Sequence, residues 1–418
     1  MDAQIITVGN ELLIGRTVDT NAAWLARRLD EAGFQVVRKV TIGDDLDAIE
    51  EAVRASLIES TVVVTTGGLG PTHDDVTKKA IARVFGVKLQ IDRALESSLA
   101  ARFERRGRPF TDDGRTMALV PEGFEWVANP VGTAPGLVMK MTEFGRRCLL
   151  AFPGVPYEMK AIYRAHAIEV FEHVAHMGSA HRTFRTAGMS ENRLEEILSP
   201  VLEDLVDGIS LAFLPDARDG VAVRLTARAP TARVAETALG GVAERVDSLI
   251  GEFVYGGEDD RLEAVVGRLL QEKGMTLSIA ESCTGGLISD RITDVPGSSS
   301  YLMGGVVAYG NRAKVELLGV DKAVLASEGA VSKSVAEQMA AGCRDRFGSD
   351  VAISVTGVAG PSGGSPEKPV GTVWVGVADD EGVMAFHLRL TENRRLNKEL
   401  AGTEALNILR RRLYGTVG

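Results

Sequence analysis

Apolar and polar positions in the first part of the chain alternate between strand and helix patterns. Residues 4–8, 36–42 and 61–66 have strand patterns, and the segments between them carry apolar residues at helical spacing. The third of these strands is a β-branched run, which is typical of a central parallel strand. Strands that alternate with helices predict a three-layer α/β domain over residues 1–170.

The pattern changes twice further along the chain. From about residue 181 a strand, a helix, two strands and a long helix follow each other, which predicts a small α+β module over residues 171–255. Residues 256–260 are polar and glycine-rich, as a linker would be. After them an amphipathic helix opens a second run of α/β alternation, so a third domain is predicted over residues 256–418.

Composition and charge narrow the class of protein. Of the 418 residues, 45% are hydrophobic and 25% charged, as in globular enzymes. The formal charge of −10 opposes binding to nucleic acid or to an anionic membrane. The three cysteines lack the spacing of a disulfide framework or a zinc site. With no basic leader and no long apolar stretch, a soluble cytoplasmic protein without membrane or nucleic-acid partners is expected.

A serine follows the first strand of the third domain. Residues 276–280 form this strand, and Ser282 lies at the turn where the strand leads into a helix. Open α/β folds place ligands at the carboxyl ends of strands, so Ser282 is predicted to be a nucleophile. The turn continues through Thr284, Gly285 and Gly286, which would let a ligand approach the backbone while the helix start offers free N–H groups to an anion.

The base for this serine is predicted to be a lysine. The only histidine downstream is His387, so a Ser-His-Asp triad is not indicated. Lys314, in a turn that also contains Tyr309 and Asn311, can act as a base if burial lowers its pKa, with Tyr309 as a proton relay or orienting group. Cys283 is an alternative nucleophile, although a small structural residue is the simpler interpretation.

A third glycine-rich turn covers residues 356–364. It follows another buried strand, and Gly357 and Gly360 combine with hydroxyl side chains as in cradles for phosphate or ribose. A tight turn or a helix cap would explain any one of the three turns alone. Together they predict a site at one edge of the sheet.

These motifs resemble the CinA family, whose C-terminal domain is a nicotinamide-mononucleotide amidohydrolase. The resemblance spans the last ~160 residues and rests on three segments: 280–286, 309–314 and 356–373. It implies conversion of nicotinamide mononucleotide to nicotinate mononucleotide and ammonia without a cofactor. Ser282 would be the nucleophile and Lys314 the base, assisted by Tyr309 and Thr356. Arg394 is the candidate for a substrate-binding arginine, although its surroundings depart from the Gly-Asp-Arg of the family.

A second glycine turn with two acids lies in the first domain. Gly67, Gly68 and Gly70 precede a helix and would cradle a phosphate, and Asp74 and Asp75 suit a hard cation such as Mg²⁺. Helix capping explains one of these acids equally well.

Two further positions in the first domain could serve the same cleft. Gly154 supplies another turn after a strand, and Asp19 caps a helix or faces the cleft.

Residues 1–170 resemble the molybdopterin-binding domain family and, more closely, the N-terminal domain of CinA proteins. The shared segments are 9–13, 66–77 and 153–156. Some members are metal-dependent ADP-ribose pyrophosphatases, so the resemblance implies release of AMP and ribose 5-phosphate with Mg²⁺ or Co²⁺. A non-catalytic binder of a nucleotide or pterin is the alternative. A molybdopterin adenylyltransferase or molybdenum insertase is less consistent with the attached amidohydrolase.

The middle module resembles the KH-like insert of CinA proteins. RNA-binding KH domains clamp the backbone with a Gly-x-x-Gly loop, which residues 171–255 lack. A structural or interdomain role is therefore expected. The family resemblance also implies a homodimer.

Overall fold

The computed structural model describes residues 1–107, 109–142, 146–174 and 178–416. The chain divides into two compact units. The first contains residues 1–181 and 227–238, and the second contains residues 182–226 and 239–418.

The first unit is built on a six-stranded sheet. The strand order is β2-β1-β3-β8-β7-β6, with β2, β1, β3 and β8 parallel and β7 and β6 antiparallel. A separate antiparallel pair consists of β4 and β5. The strands are β1 (Asp2–Val8), β2 (Gln35–Ile42), β3 (Val62–Thr66), β4 (Leu89–Ile91), β5 (Leu119–Pro121), β6 (Glu125–Val127), β7 (Gly136–Met141) and β8 (Arg147–Phe152).

Helices cover both faces of this sheet. They are α1 (Asn10–Leu13), α2 (Thr20–Glu31), α3 (Leu46–Glu59), α4 (Thr77–Phe85), α5 (Arg93–Arg105), α6 (Asp112–Met117) and α7 (Pro156–His173). One core joins α2 and α7 to the sheet, and a second core joins α3, α4 and α5 to its other face. Central strand β3 is buried along its whole length, as its β-branched sequence predicts. The three-layer α/β prediction is confirmed.

The middle of the chain forms a small α+β module. Its four-stranded sheet has the order β10-β11-β9-β12. Its elements are β9 (Gly178–Thr186), α8 (Glu191–Glu203), β10 (Ile209–Asp216), β11 (Gly220–Ala229), α9 (Ala232–Ile250) and β12 (Val254–Gly256). The predicted strand and helix order of this module is confirmed.

The rest of the second unit is an α/β layer structure around a five-stranded sheet. The order is β14-β13-β15-β16-β17; β14, β13 and β15 are parallel, and β16 and β17 are antiparallel. The strands are β13 (Leu277–Glu281), β14 (Leu302–Val307), β15 (Val351–Gly357), β16 (Thr372–Asp379) and β17 (Gly382–Arg389). The helices are α10 (Leu262–Lys273), α11 (Leu287–Thr293), α12 (Asn311–Leu318), α13 (Lys322–Glu328), α14 (Lys333–Phe347) and α15 (Arg394–Leu413).

Two cores hold this sheet between helices. One contains α10, α11 and α15, and the other contains α12 and α14. Parallel strands β14, β13 and β15 therefore end side by side, and the three predicted turns follow their carboxyl ends. The domain boundaries at residues 170 and 256 stay predictions. Within the described part of the chain, no helix has the length and apolar character needed to cross a bilayer.

Candidate active site

Ser282 and Lys314 meet at the carboxyl ends of β13 and β14. Lys314 Nζ lies 2.9 Å from Ser282 Oγ. The serine amide donates to Val355 O on the neighbouring strand β15, which fixes the start of the turn. Only 7% of Ser282 and 1% of Lys314 are exposed, so the pair is largely removed from water. The structure thus brings together the two residues that the sequence proposed as nucleophile and base.

The surroundings of Lys314 suit a neutral amine. Its Nζ also lies 2.8 Å from Ala308 O and 3.3 Å from Tyr309 O, and both of these carbonyl oxygens can only accept hydrogen bonds. An ammonium would donate to all three oxygens, whereas a neutral amine would give its two hydrogens to the carbonyls and keep its lone pair for the serine proton. Burial lowers the pKa of Lys314, and the nearby Cys283 offsets only part of this effect. The contact with Ser282 and the lowered pKa are both consistent with a role as base.

Glu281 holds the turn that carries the serine. Its buried carboxylate accepts hydrogen bonds from the amides of Gly286, Ile288 and Ser289 and from the Ser289 hydroxyl. The sequence predicted that the start of α11 offers free N–H groups to a ligand, and for these three amides that prediction is wrong. A carboxylate from the preceding strand already occupies the helix N-terminus, where the helix dipole stabilises it.

Tyr309 and Arg394 form the mouth of this site. Arg394 donates 2.8 Å hydrogen bonds to the Tyr309 hydroxyl and to Gly360 O. The arginine thereby connects two of the predicted turns. Tyr309 is 59% exposed, and its backbone carbonyl, rather than its hydroxyl, contacts Lys314. If Tyr309 orients Lys314, it does so through its backbone carbonyl rather than through its hydroxyl.

The other predicted residues surround the pair without bonding to it. The Thr356 hydroxyl donates to Ala330 O at 2.7 Å and is 1% exposed. Asn311 begins α12 and is exposed, whereas Thr284 is buried and its hydroxyl has no hydrogen-bond partner among the described residues. Gly357 packs so closely on Val373 that a Cβ would lie 2.6 Å from its Cγ2.

A lysine that the sequence interpretation missed lies beside the serine turn. Gly285 and Gly286 have φ angles of 66° and 97°, a conformation that favours glycine. A Cβ on Gly285 would lie 3.7 Å from Lys398 Nζ. Lys398 forms no ion pair among the described residues, and on α15 it is one turn beyond Arg394. That i,i+4 spacing of two cations was the available signal.

The glycines predicted in the first unit also meet at a sheet edge. Gly67 and Gly68 have φ angles of 109° and 66°, and a Cβ on either would overlap Val8 O or Thr77 Oγ1. Gly154 approaches from the end of β8, where a Cβ would lie 3.3 Å from Gly67 Cα. The backbone turns after β3 and β8 are therefore packed directly on each other.

The two predicted metal ligands differ in their surroundings. Asp75 accepts hydrogen bonds from the Thr72 amide at 2.9 Å and hydroxyl at 2.6 Å, and a Cβ on Gly70 would meet the same carboxylate. Asp74 is 61% exposed and pairs with His73 at 2.6 Å. Among the described residues, no three His, Cys, Asp or Glu side chains cluster closely enough to hold a metal. In the described part of the chain, the predicted site therefore has no more than two carboxylate ligands.

Three segments of the chain match known protein families. Residues 4–173 match a probable molybdopterin binding domain, residues 181–256 match the damage-inducible protein CinA KH domain, and residues 259–413 match the CinA C-terminal domain. A CinA-like protein from Salinibacter ruber is 44% identical over 99% of this chain and 100% of its own length. This chain belongs to the CinA family.

Other CinA-like proteins are also similar to this chain over nearly its full length. One from Chloroherpeton thalassium is 41% identical over 98% of this chain and 99% of its own length. One from Gemmatimonas aurantiaca is 43% identical over 98% of this chain and 96% of its own length. The family resemblance drawn from the motifs is confirmed for all three parts of this CinA-family chain.

Proposed function

We propose that the second unit of this CinA-family chain hydrolyses the carboxamide of nicotinamide mononucleotide. The observation that supports this most is the 2.9 Å contact between Lys314 Nζ and Ser282 Oγ in a buried site. Serine is a weak nucleophile unless a base takes its proton, and a buried lysine whose pKa is lowered can do so. The motif resemblance supplies the substrate.

The proposed reaction has two steps. Ser282 Oγ attacks the carboxamide carbon while its proton passes to Lys314 Nζ; the intermediate then collapses, and the leaving NH₂ group takes this proton and departs as ammonia. In the second step, Lys314 takes a proton from water, the hydroxide attacks the ester on Ser282, and the serine recovers its proton. The products are nicotinate mononucleotide and ammonia.

Product analysis tests this proposal. The full chain is incubated with nicotinamide mononucleotide, ammonia is measured with a coupled assay, and the nucleotide product is identified by mass spectrometry. Equal amounts of ammonia and nicotinate mononucleotide are expected. Release of free nicotinamide would indicate cleavage at the sugar instead, and either that outcome or no ammonia would overturn the proposal.

Lys398 is expected to bind the phosphate of the substrate. Its ammonium group lies beside the serine turn, with no carboxylate partner among the residues that the structure describes, and a charge-assisted hydrogen bond contributes about 1.5–3 kcal/mol. Lys398→Gln should therefore raise KM for nicotinamide mononucleotide about tenfold or more with little change in kcat. Steady-state kinetics with nicotinamide riboside, which lacks the phosphate, provide the control. An equal effect on both substrates would show that Lys398 does not bind phosphate.

For the first unit we propose metal-dependent hydrolysis of ADP-ribose. The support is the junction of the glycine turns after β3 and β8, together with the Asp75 carboxylate, which lies against Gly70 in the turn after β3. Close backbone approach without side chains suits a pyrophosphate. The motif resemblance again supplies the substrate, and AMP and ribose 5-phosphate would be the products.

The available donors fit a metal that is shared with the substrate. Mg²⁺ is commonly held by one or two carboxylates together with substrate phosphates and water, which agrees with a site to which the described residues contribute Asp74 and Asp75. When bound, such a metal neutralises phosphate charge and lowers the pKa of water. Thr72 orients one oxygen of Asp75 through two hydrogen bonds, which fixes the carboxylate relative to the glycine turn.

Metal removal tests the second proposal. AMP release from ADP-ribose should fall to background in EDTA and return with Mg²⁺ or Co²⁺, as measured by chromatography. Ammonia release from nicotinamide mononucleotide should be unchanged in the same samples, because Ser282 and Lys314 need no metal. Binding of ADP-ribose without AMP release under any of these conditions would make the first unit a nucleotide binder.

A further inference from the structure

A small pocket lies in the first unit at the carboxyl ends of β1 and β3. Its volume is about 90 Å³, and its polar walls include Thr7, Thr66, Glu11, Asp19 and Asn21. The pocket also reaches Gly154, next to the glycine turns described above. None of its lining residues is a lysine, arginine or histidine, so it does not suit a phosphate group.

Asn21 has a buried acceptor that no described residue satisfies. The side chain is only 9% exposed, and its Oδ1 has no hydrogen-bond partner among the described residues. The Nδ2 group donates to Gly154 O at 2.7 Å and to Thr66 Oγ1 at 3.2 Å. A buried acceptor without a donor costs about 1–3 kcal/mol, so it calls for an explanation.

The orientation of this amide is fixed by its neighbours. Gly154 O can only accept a hydrogen bond, and the Thr66 hydroxyl gives its own hydrogen to Pro153 O at 3.0 Å. Both contacts of the Asn21 Nδ2 group are therefore acceptors. Exchanging the amide oxygen and nitrogen would place oxygen against oxygen twice, so Oδ1 remains the atom without a partner.

The charged side chains of the pocket are acceptors as well. Asp19 uses Oδ1 to cap α2 through Ala22 N, and no hydrogen bond to its Oδ2 occurs among the described residues. The Glu11 carboxylate folds back over Gly9, where a Cβ would lie 2.6 Å from its Oε1. A ligand that fits this pocket must therefore bring hydrogen-bond donors.

We infer that this pocket binds the ribose hydroxyls of a nucleotide. A vicinal diol brings two donors for the oxygens of Asn21, Asp19 and Glu11, while the apolar walls from Leu12, Val18 and Pro156 pack on the sugar ring. The phosphates of the same nucleotide would then lie outside the pocket, over the adjoining glycine turns. This inference takes its ligand from the proposed nucleotide chemistry of the first unit, but it does not require turnover.

Calorimetric titration of the full chain in EDTA tests the inference. The probes are AMP and 2′,3′-dideoxy-AMP, which differ only in the two hydroxyls. AMP should bind about tenfold or more tightly, as expected for hydrogen bonds to charged groups. Asp19→Asn keeps an oxygen for the helix cap, and it should weaken AMP binding while leaving dideoxy-AMP binding unchanged.

Further variants distinguish loss of the pocket contacts from a general effect of removing a surface charge. Glu11→Gln should act as Asp19→Asn does, whereas Glu51→Gln, on the exposed face of α3, should change neither affinity. Equal binding of the two probes, equal weakening of both by the variants, or no binding of AMP at millimolar concentration would overturn the inference.

Two other results would distinguish a ribose site from a cation site and from the proposed hydrolysis. Tight binding of Mn²⁺ alone that is lost in Glu11→Gln would identify a cation site and would also overturn the inference. If ADP-ribose is not hydrolysed but the difference between AMP and dideoxy-AMP persists, the proposed hydrolysis fails and the ribose site stands.

Discussion

Ammonia release from nicotinamide mononucleotide is expected to fall by at least about 10³-fold when either Ser282 or Lys314 is removed. Ser282→Ala deletes the attacking oxygen, and Lys314→Met deletes the amine 2.9 Å from it while keeping a side chain of similar length. Because the two groups carry out one proton transfer, the double variant should be about as slow as either single variant. Steady-state kcat/KM values for the three variants measure this.

Cys283 provides the matched control. It is next to Ser282, but burial raises the pKa of its thiol to about 12, so the reactive thiolate is almost absent at neutral pH. Cys283→Ala should retain nearly all activity. If Cys283→Ala were inactive while Ser282→Ala remained active, the nucleophile would be the cysteine and the Ser-Lys assignment would be wrong.

The pH dependence of the reaction should report on Lys314. The neutral amine is the base, and burial lowers its pKa from the ordinary 10.5, so kcat/KM should rise with pH through a limb whose midpoint lies below 10.5. Lys314→Arg should be inactive over the whole range because a guanidinium stays protonated. An unshifted midpoint would contradict the neutral-lysine interpretation.

The same pKa shift has a consequence for stability. Between the lowered folded pKa of Lys314 and its ordinary value, the unfolded chain binds more protons than the folded chain. The free energy of unfolding should therefore rise with pH across that window, and Lys314→Met should remove this contribution. Urea unfolding at several pH values, compared between the two proteins, measures the difference.

The second large effect is expected at a buried ion pair in the second unit. Glu263→Gln should lower the free energy of unfolding by about 3–5 kcal/mol, because Arg291 would keep a buried charge without its counter-charge. Arg291 Nη2 lies 2.8 Å from Glu263 Oε2, and both side chains are 1% exposed. Burial alone raises the pKa of Glu263, but Arg291 and Arg218 outweigh it, so the net pKa is lowered and the carboxylate is charged.

This ion pair also joins the KH-like module to the helix that follows the nucleophile turn. Arg218, between β10 and β11, donates to Glu263 and Asp294 at 3.0 Å, and its carbonyl accepts from Arg291 at 2.9 Å. Because Arg291 lies on α11, loss of Glu263 should loosen both parts together. The role expected for the middle module, structural rather than RNA-binding, is consistent with these contacts and stays a prediction.

Hydrogen exchange of the β13 amides measures the stability of this unit directly. Glu337→Gln is a suitable control, since it removes an exposed ion pair with Lys333 and should cost no more than about 0.5 kcal/mol. The double variant Glu263→Met with Arg291→Met should cost less than the sum of the two single variants. A loss under 1 kcal/mol for Glu263→Gln would show that the network does not stabilise the unit.

The order of elements could be predicted from the sequence because local patterns encode it. The β-branched run at residues 61–66 and the glycine turns after buried strands have meanings that depend on a few neighbouring residues. The relative direction of the strands, by contrast, could not be predicted from local patterns. Nothing in the alternation of residues 372–389 says that β16 and β17 run antiparallel to β15, since this depends on pairing between distant segments.

Ser282 and Lys314 could likewise be predicted from motifs. The hydrogen-bond partners of the polar groups around them could not. The start of α11 was predicted to offer free N–H groups to a ligand, and only the fold shows that the Glu281 carboxylate takes three of them. The sequence motifs gave Asn21 no predicted role. Its unsatisfied oxygen becomes visible only when β3, β8 and α2 meet around it.

The sequence by itself determined the family, the α/β layers and the pairing of Ser282 with Lys314 as candidates, because these follow from residue type and short spacing. The tertiary structure decided which polar atoms are already satisfied and which remain for a ligand. Hydrogen bonds between segments far apart in the chain, such as Asn21 to Gly154 and Arg394 to Tyr309, depend on distances that only the folded backbone sets.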